Sequence, residues 1–161
     1  EGQFILKAEG KEGYLFPDTY FFLTTDNEVD VWQTMSSNFE KKIAPLRGEI
    51  TSSGKTEKEI ITMASLIEEE SKGDVDRKLV SGILWKRLAI GMLLQVDADR
   101  RTYEARGLPK NPISNPGMAS VVAALHPEKS AYLYYLHDKE GKIYFAKTLA
   151  EHHANISRYL K

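Results

Sequence analysis

Apolar residues recur at Ile60, Met63, Ala64 and Ile67, the i, i+3, i+4, i+7 spacing of a helix with one buried stripe. The pattern predicts a helix from about Thr56 into Ser71, and Thr56 followed by Glu59 fits a capping box at its start. Three glutamates, Glu68, Glu69 and Glu70, close it. At about 100° per residue they cannot share a face. Glu69 points away from the stripe, and Glu68 and Glu70 flank it, each about 80° from its centre. A carboxyl group at the edge of an apolar face is partly desolvated, which raises its pKa and holds it protonated as a potential general acid. The plainer alternative is a solvated helix end. Periodicity does not choose between Glu68 and Glu70.

The other segments fall on either side of this helix. Tyr14 to Leu23 is rich in aromatics and reads as extended, with Pro17 barring a central ladder position. It suits a buried edge strand, or an aromatic wall for a sugar cleft. Thr25-Asp26-Asn27 is a turn and helix start, and Val29, Trp32, Met35, Phe39 and Ile43 predict an amphipathic helix to about Leu46. Arg47 to Gly54 reads as a polar connection, and Lys72-Gly73-Asp74 as a break. A third helix is expected from about Val75 to Ala89 with Val80, Ile83, Leu84, Trp85 and Leu88 on its apolar face, ended by Gly91. Met92 to Asp97 reads as a short strand whose alternation delivers Gln95 and Asp97 on one side.

Residues 107–117 hold three prolines and two glycines, too punctuated for regular structure. Loops of this kind lie on surfaces and often carry binding groups. A short helix from Met118 to Leu125 leads to His126-Pro127. Tyr132 to Leu136 and Ile143 to Phe145 predict a hairpin around Asp138 to Gly141, and a last helix runs from about Leu149 to Tyr159. The sum is an α+β fold: a helical core with a small antiparallel sheet built from the aromatic strands.

The 161 residues suit a single domain, residues 1–161, large enough to bury a core. A net charge of −1 with scattered basic residues gives no electrostatic footprint for nucleic acid. The absence of cysteine removes disulfides, thiolate nucleophiles and cysteine-based zinc sites. No apolar run approaches the roughly 20 residues of a membrane helix, and no signal peptide opens the chain. It begins at Glu1 without methionine, consistent with a piece of a longer protein.

Among the four histidines, His152 and His153 are adjacent and diverge on a helix, and His126 and His137 have no ligand-like spacing, so no metal is expected. There is no Gly-x-Ser-x-Gly nucleophile elbow and no phosphate-cradling glycine loop. Carboxylate chemistry remains. Glu68 or Glu70 on a helix, with Gln95 and Asp97 on a following strand, could face a cleft floored by the proline-rich loop. Glycosidic bond cleavage is the reaction class that most naturally uses such a set, a protonated carboxyl donating to the leaving oxygen while polar groups orient the sugar.

Several motifs in register then carry a resemblance. Ala64-Ser65-Leu66-Ile67-Glu68-Glu69-Glu70 resembles the Ala-Ser-x-x-Glu-x-Glu signature of the MltG (YceG-like) family of endolytic peptidoglycan lytic transglycosylases. Glu12 to Tyr20 is similar to its opening motif, and Arg87 to Asp97 to its Arg-Leu-x-x-Gly-Met-x-Leu-Gln-x-Asp segment. Thr102-Tyr103, Gly107-Leu108-Pro109, Pro112 to Gly117, His126-Pro127 and Tyr132-Leu133-Tyr134 follow in the family's order.

The resemblance implies a lysozyme-like catalytic core, with the second glutamate of the signature, Glu70, as catalytic acid. The Glu70-Ser71 pair is also similar to the Glu-Ser step of other lytic transglycosylases. Gln95, Asp97, Tyr103 and Asn115 become the expected substrate-side residues, joined by Glu68 as a support paired with a basic or hydroxyl group. The implied partners are peptidoglycan glycan strands and wall-synthesis enzymes, with no cofactor and no nucleic acid. The implied place is the extracytoplasmic face of the bacterial cytoplasmic membrane. There the full-length protein is anchored through a segment absent from this chain, behind a LysM-like module.

The implied reaction is non-hydrolytic cleavage of the MurNAc–GlcNAc bond to 1,6-anhydroMurNAc ends, which terminates strand elongation. Its rivals are a muramidase-type hydrolase using Asp97 or Glu68 to activate water, and a wall-binding module without turnover. The chain departs from the family pattern in three places. Asp97-Ala98-Asp99 replaces Asp-Pro-Thr, the stretch from Asp99 to Thr102 is short, and His153 stands where asparagine is common. The short stretch implies that one wall of the cleft is missing or rebuilt.

Overall fold

The structure is a computed structural model that describes residues 11–70 and 76–160. Ser71, the break at Lys72 to Asp74 and the expected helix start at Val75 therefore lie outside the described residues. In chain order the elements are α1 (Glu28–Ile43), a 3₁₀ turn (Ala44–Leu46), α2 (Arg47–Ser52), α3 (Glu57–Glu70) and α4 (Arg77–Ala89). A second 3₁₀ turn (Arg100–Tyr103), α5 (Met118–Leu125), β1 (Tyr134–His137), β2 (Ile143–Ala146) and α6 (Leu149–Tyr159) follow.

The helix starts follow capping chemistry. Asn27 accepts from the Val29 and Asp30 amides while Asp30 accepts from the Asn27 amide, a reciprocal box at the head of α1. Thr56 and Glu59 form the expected box before α3, the Glu59 carboxylate accepting the Thr56 amide at 2.8 Å and Thr56 Oγ1 accepting the Glu59 amide at 3.2 Å. Pro45 lies in the 3₁₀ turn that ends α1, where its missing N–H and fixed φ bar a continued helix. The polar connection expected over Arg47 to Gly54 is instead the short helix α2, with Ile50 buried as its one anchor.

The central helix is more enclosed than its stripe suggests. Every residue of α3 from Ile60 to Ile67 is buried, so the helix is surrounded rather than amphipathic. It packs chiefly against α5 and α4, and the proline-rich loop covers Ser65, whose hydroxyl accepts the Ile113 amide at 3.0 Å. The buried Ser65 hydroxyl is thereby satisfied, since Oγ also donates to the Thr62 carbonyl. The core runs on through Phe16, Phe39, Ile43, Val80, Leu84, Leu94, Val96 and Val121.

Within α4, Gly82 permits close contact with the segment leading to β1. An added Cβ would lie 1.9 Å from the Glu128 carbonyl oxygen. Trp85 Nε1 donates to the Ala124 carbonyl at 2.9 Å, and Lys86 reaches that of Ser130. β1 and β2 pair antiparallel with Tyr135 opposite Phe145, and α6 packs on both strands. Asp138 closes the hairpin by accepting the Glu140 and Lys142 amides, with Gly141 at φ 83°.

Two expected strands are corrected. Tyr14 to Leu23 forms no strand. Leu15 and Phe16 enter the core, Tyr20 stacks on Phe22, and Phe21 stands almost fully exposed. Met92 to Asp97 is a closed loop rather than a strand. The Gln95 amide donates to the Thr102 carbonyl at 3.1 Å, and the buried Thr102 hydroxyl accepts the Val96 amide at 2.8 Å. One threonine thus takes the hydrogen bonds a partner strand would have supplied. The alternation survives, with Leu94 and Val96 buried and Gln95 and Asp97 outward.

Candidate active site

An open cleft of about 550 Å³ lies where the C-terminal end of α3, the loop after α4, β1 and α6 meet. Glu70 sits in it because α3 ends there, past the last enclosed residue of the core. Its carboxyl has two donors from different segments. The Asp97 amide donates at 3.0 Å to Oε1, and the Tyr135 hydroxyl donates at 3.0 Å to Oε2. Burial pushes the Glu70 pKa up, and the Asp97 charge adds to that. The Tyr135 and Asp97 hydrogen bonds and the Arg87 cation pull the other way without prevailing.

These two partners differ in kind. A backbone N–H can only donate, whereas a tyrosine hydroxyl donates or accepts. When Glu70 is protonated, Oε1 keeps its amide donor, so the proton belongs on Oε2. There Tyr135 can turn its own hydrogen away, and after the proton leaves, the hydroxyl turns back to the carboxylate. The site accommodates Glu70 in both protonation states without moving a backbone atom.

Asp97 and Gln95 both line the same cleft, on the side their alternation predicts. Gln95 has φ 51°, a left-handed conformation that costs a non-glycine residue on the order of 1 kcal/mol. Tyr103 lines the rim, and its hydroxyl makes a short hydrogen bond to Asp97 Oδ1. Burial, this bond and the neighbouring carboxylates push the Tyr103 hydroxyl up to about 12. Asp99, just behind, is buried and caps the 3₁₀ turn through the Arg101 amide, with the Arg101 guanidinium holding its carboxyl below the usual range.

Two expected site residues stand elsewhere. Asn115 lies outside the cleft lining. Its Oδ1 accepts the Gly13 amide at 2.8 Å and the Leu15 amide at 3.0 Å, pinning the N-terminal segment across 100 residues of sequence. Glu68 is also outside the lining. Its carboxylate accepts the Gly117 amide at 3.1 Å, at the N-terminus of α5, rather than a basic or hydroxyl group as expected. Glu69, expected to face away, is exposed on the cleft's edge. The aromatic segment Tyr14 to Leu23 contributes nothing to the lining.

Other lining residues were not singled out by sequence reasoning. Tyr135 was only one residue of an aromatic strand, and no local signal ties it to a glutamate 65 positions away. Arg87 is 4% exposed, although charged and placed among surface-type residues of α4. It donates through Nε to the Leu133 carbonyl at 2.7 Å and through Nη1 to the Leu94 carbonyl at 2.6 Å. On the far wall His152 stacks on Tyr134, with Ile156 further along α6 and Leu160 just past its end. Burial, Arg87 and His153 lower the His152 pKa. His153 is exposed and outside the lining. Among the described residues no group of three or more histidines and carboxylates could hold a metal ion, and no helix is long and apolar enough to cross a membrane.

The sequence model of the YceG-like family matches residues 2–100 and 101–158. The chain belongs to the YceG-like family. It is 34% identical over 172 aligned positions to a Bacillus subtilis protein named endolytic murein transglycosylase, with 92% of this chain and 48% of that one covered. A Streptococcus pneumoniae protein of the same name is 28% identical, with 92% and 32% covered. The crystal structure of a YceG-like protein from Listeria monocytogenes matches with a TM-score of 0.84 at 34% identity, covering 95% of this chain and 62% of that one. The chain therefore spans about half the length, or less, of the curated relatives it matches.

The YceG-like match is also broken at one informative place. Its two pieces meet between Arg100 and Arg101, and the Bacillus alignment is longer than this chain, so the relative has residues with no counterpart here. The junction falls in the 3₁₀ turn that carries Tyr103 to the rim of the cleft.

Proposed function

We propose that this chain is the catalytic part of an endolytic lytic transglycosylase, cleaving the MurNAc–GlcNAc bond within peptidoglycan strands. The observation that carries the reading is Glu70: a carboxyl with a raised pKa, lining an open polar cleft, with one reversible and one fixed hydrogen-bond partner. The names of the Bacillus and Streptococcus relatives supply the substrate class.

In this reading protonated Glu70 donates to the glycosidic oxygen as the bond from that oxygen to the MurNAc anomeric carbon breaks. Glu70, now a carboxylate, takes the proton from the MurNAc 6-hydroxyl, whose oxygen closes onto the anomeric carbon. The product is a 1,6-anhydro end, and Glu70 recovers its proton. One carboxyl group serves both steps because the substrate supplies the nucleophile, whereas most glycosidases need two. Gln95 and Asp97 orient sugar groups from the adjacent wall, and Tyr103 fixes the Asp97 carboxylate. Such a domain works outside the cytoplasmic membrane, where its substrate lies, as part of a longer membrane-anchored protein that acts beside wall-synthesis enzymes and ends strand growth.

The test is mass analysis of a peptidoglycan digest. Anhydro-MurNAc ends support the reading. Reducing MurNAc ends would make the chain a hydrolase, and strand binding without any cleavage would make it a wall-binding module.

A further inference from the structure

Glu70's two hydrogen-bond donors come from separate parts of the chain. The Asp97 amide belongs to the loop that begins after α4, and the Tyr135 hydroxyl belongs to β1. One side chain joins those two parts. Arg87, near the end of α4, holds the Leu94 carbonyl three residues before Asp97 and the Leu133 carbonyl two residues before Tyr135. Its guanidinium also lies 5.3 Å from the Tyr134 ring centroid. Among the described residues no carboxylate forms an ion pair with it.

A buried arginine without a paired carboxylate carries a desolvation penalty. Two carbonyl hydrogen bonds and a ring face offset part of that, and a methionine of similar length could fill the space. The retained charge therefore calls for an explanation beyond packing. The same pocket offers one. Glu70 is among the groups whose charge acts on Arg87, and Arg87 in turn opposes the upward shift of Glu70.

We propose that Arg87 is a positioning residue of this site, its two carbonyl contacts fixing the segments that deliver both of Glu70's donors and its cation lining the same cleft as that carboxyl. The proposal rests on the reading of Glu70 as the proton-transferring group. A guanidinium suits the task better than an ammonium because its planar fork reaches two carbonyls in fixed directions. When Glu70 gives up its proton, the new carboxylate meets a cation that is already in place. No reorganisation is then needed at the moment of transfer.

The remaining titratable groups that line the cleft with Glu70 are Glu69 from α3, Asp97 and Tyr103 from the loop, Tyr135, His137 and Asp138 from β1 and its turn, and His152 from α6. Loss of the Arg87 charge and loosening of the two donors both weaken the carboxylate form of Glu70. Both effects raise its pKa, so the sign of the outcome is fixed.

The experiment compares this chain with its Arg87→Lys and Arg87→Met variants on purified glycan strands. It follows anhydro-product release against pH and the Glu70 carboxyl by carbon NMR. Turnover is expected to fall about 10²-fold in the methionine variant with KM little changed, as for a displaced catalytic group. The Glu70 titration and the alkaline limb of the profile should move upward by about one pH unit, the size expected for loss of a nearby opposite charge. The lysine variant keeps the charge and one contact, so its titration should move less and its turnover should recover in part. Folded variants with an unmoved Glu70 titration would overturn the proposal. So would failure of both variants to fold, which would assign Arg87 to the fold alone. Glu70→Gln is the control: if it stays active the reading of Glu70 itself fails, whereas its inactivity beside unmoved Arg87 variants removes only Arg87.

Discussion

Glu68 and Glu70 are two residues apart on one helix, and their carboxylates serve different neighbours. Glu68 accepts the Gly117 amide at the head of α5, while Glu70 accepts the Asp97 amide and the Tyr135 hydroxyl inside the cleft. Helical geometry separates the two side chains by about 200° around the axis. One therefore meets the proline-rich loop and the other meets the cleft. The contrast in partners suggests a contrast in roles that mutation can separate.

Glu70→Gln should lower turnover by about 10²–10⁴-fold, the usual worth of a general acid–base group. Glutamine keeps the shape and can hold both partners, its oxygen facing the Asp97 amide and its NH₂ facing the Tyr135 oxygen. Anhydro-product release, measured with circular dichroism to confirm the fold, checks this. Near-normal release would remove Glu70 from proton transfer.

Glu68→Ala should act mainly on stability. It strips a partner from the Gly117 amide at a helix N-terminus, where an acidic group is also favoured by the helix dipole. A cost of about 1–2 kcal/mol is expected, since water can reach part of the site. Denaturant melts should show the loss while turnover at low temperature stays within about tenfold of the parent. A loss as deep as that of Glu70→Gln would exchange the two assignments.

The parts legible in the sequence are those specified locally. Caps at Asn27 and Thr56, the Asp138 to Gly141 turn and the spacing of Val80, Ile83 and Leu84 each name their own element, and those elements are present. Gln95 and Asp97 also emerged on the same side, because alternating burial of Leu94 and Val96 enforces it even without a strand. What stayed hidden depends on distant partners. Arg87 opens the family-like segment that ends at Asp97, but its partners, the Leu94 and Leu133 carbonyls, are known only once the chain is folded around it. Tyr135 reads as an ordinary strand residue until α3 ends beside it. Asn115, a substrate-side residue by the resemblance, has its amide oxygen occupied by two backbone donors. The short helix α2 escaped because six mostly exposed residues carry no readable period.

Gly82→Ala should destabilise the chain although alanine is the better helix former. The propensity gain is about 1 kcal/mol. Against it, the new methyl would lie 1.9 Å from the carbonyl oxygen of Glu128, a residue whose amide donates to the Lys78 carbonyl and so ties its backbone to α4. Overpacking of this kind costs about 1–3 kcal/mol or more, so the clash prevails. The segment it displaces leads to β1 and Tyr135, and turnover should fall along with the melting temperature. Equal or higher stability in a thermal melt would show that the α4 contact has slack.

The raised pKa of Glu70 makes a separate prediction about stability. In the unfolded chain its carboxyl titrates near 4.3. In the folded chain burial favours the neutral form, so its value lies higher. The contribution of neutral Glu70 to folding is complete below the unfolded value and is lost as pH rises through the folded value. Glu70→Gln is neutral at every pH and does not lose it. The two proteins should therefore melt at similar temperatures near pH 4, and the variant should become the more stable one as pH rises to 7. Titrating groups that do not interact with Glu70 are common to both and cancel in the difference. The Asp97 amide, the Tyr135 hydroxyl and the Arg87 cation all oppose the gap by favouring the carboxylate, so its size measures what burial contributes after they have acted. Paired thermal melts from pH 4 to pH 8 make the test. A flat difference would show that burial does not raise the Glu70 pKa, and one that runs against the variant as pH rises would show a stabilised carboxylate; either outcome removes the raised acid from the reading.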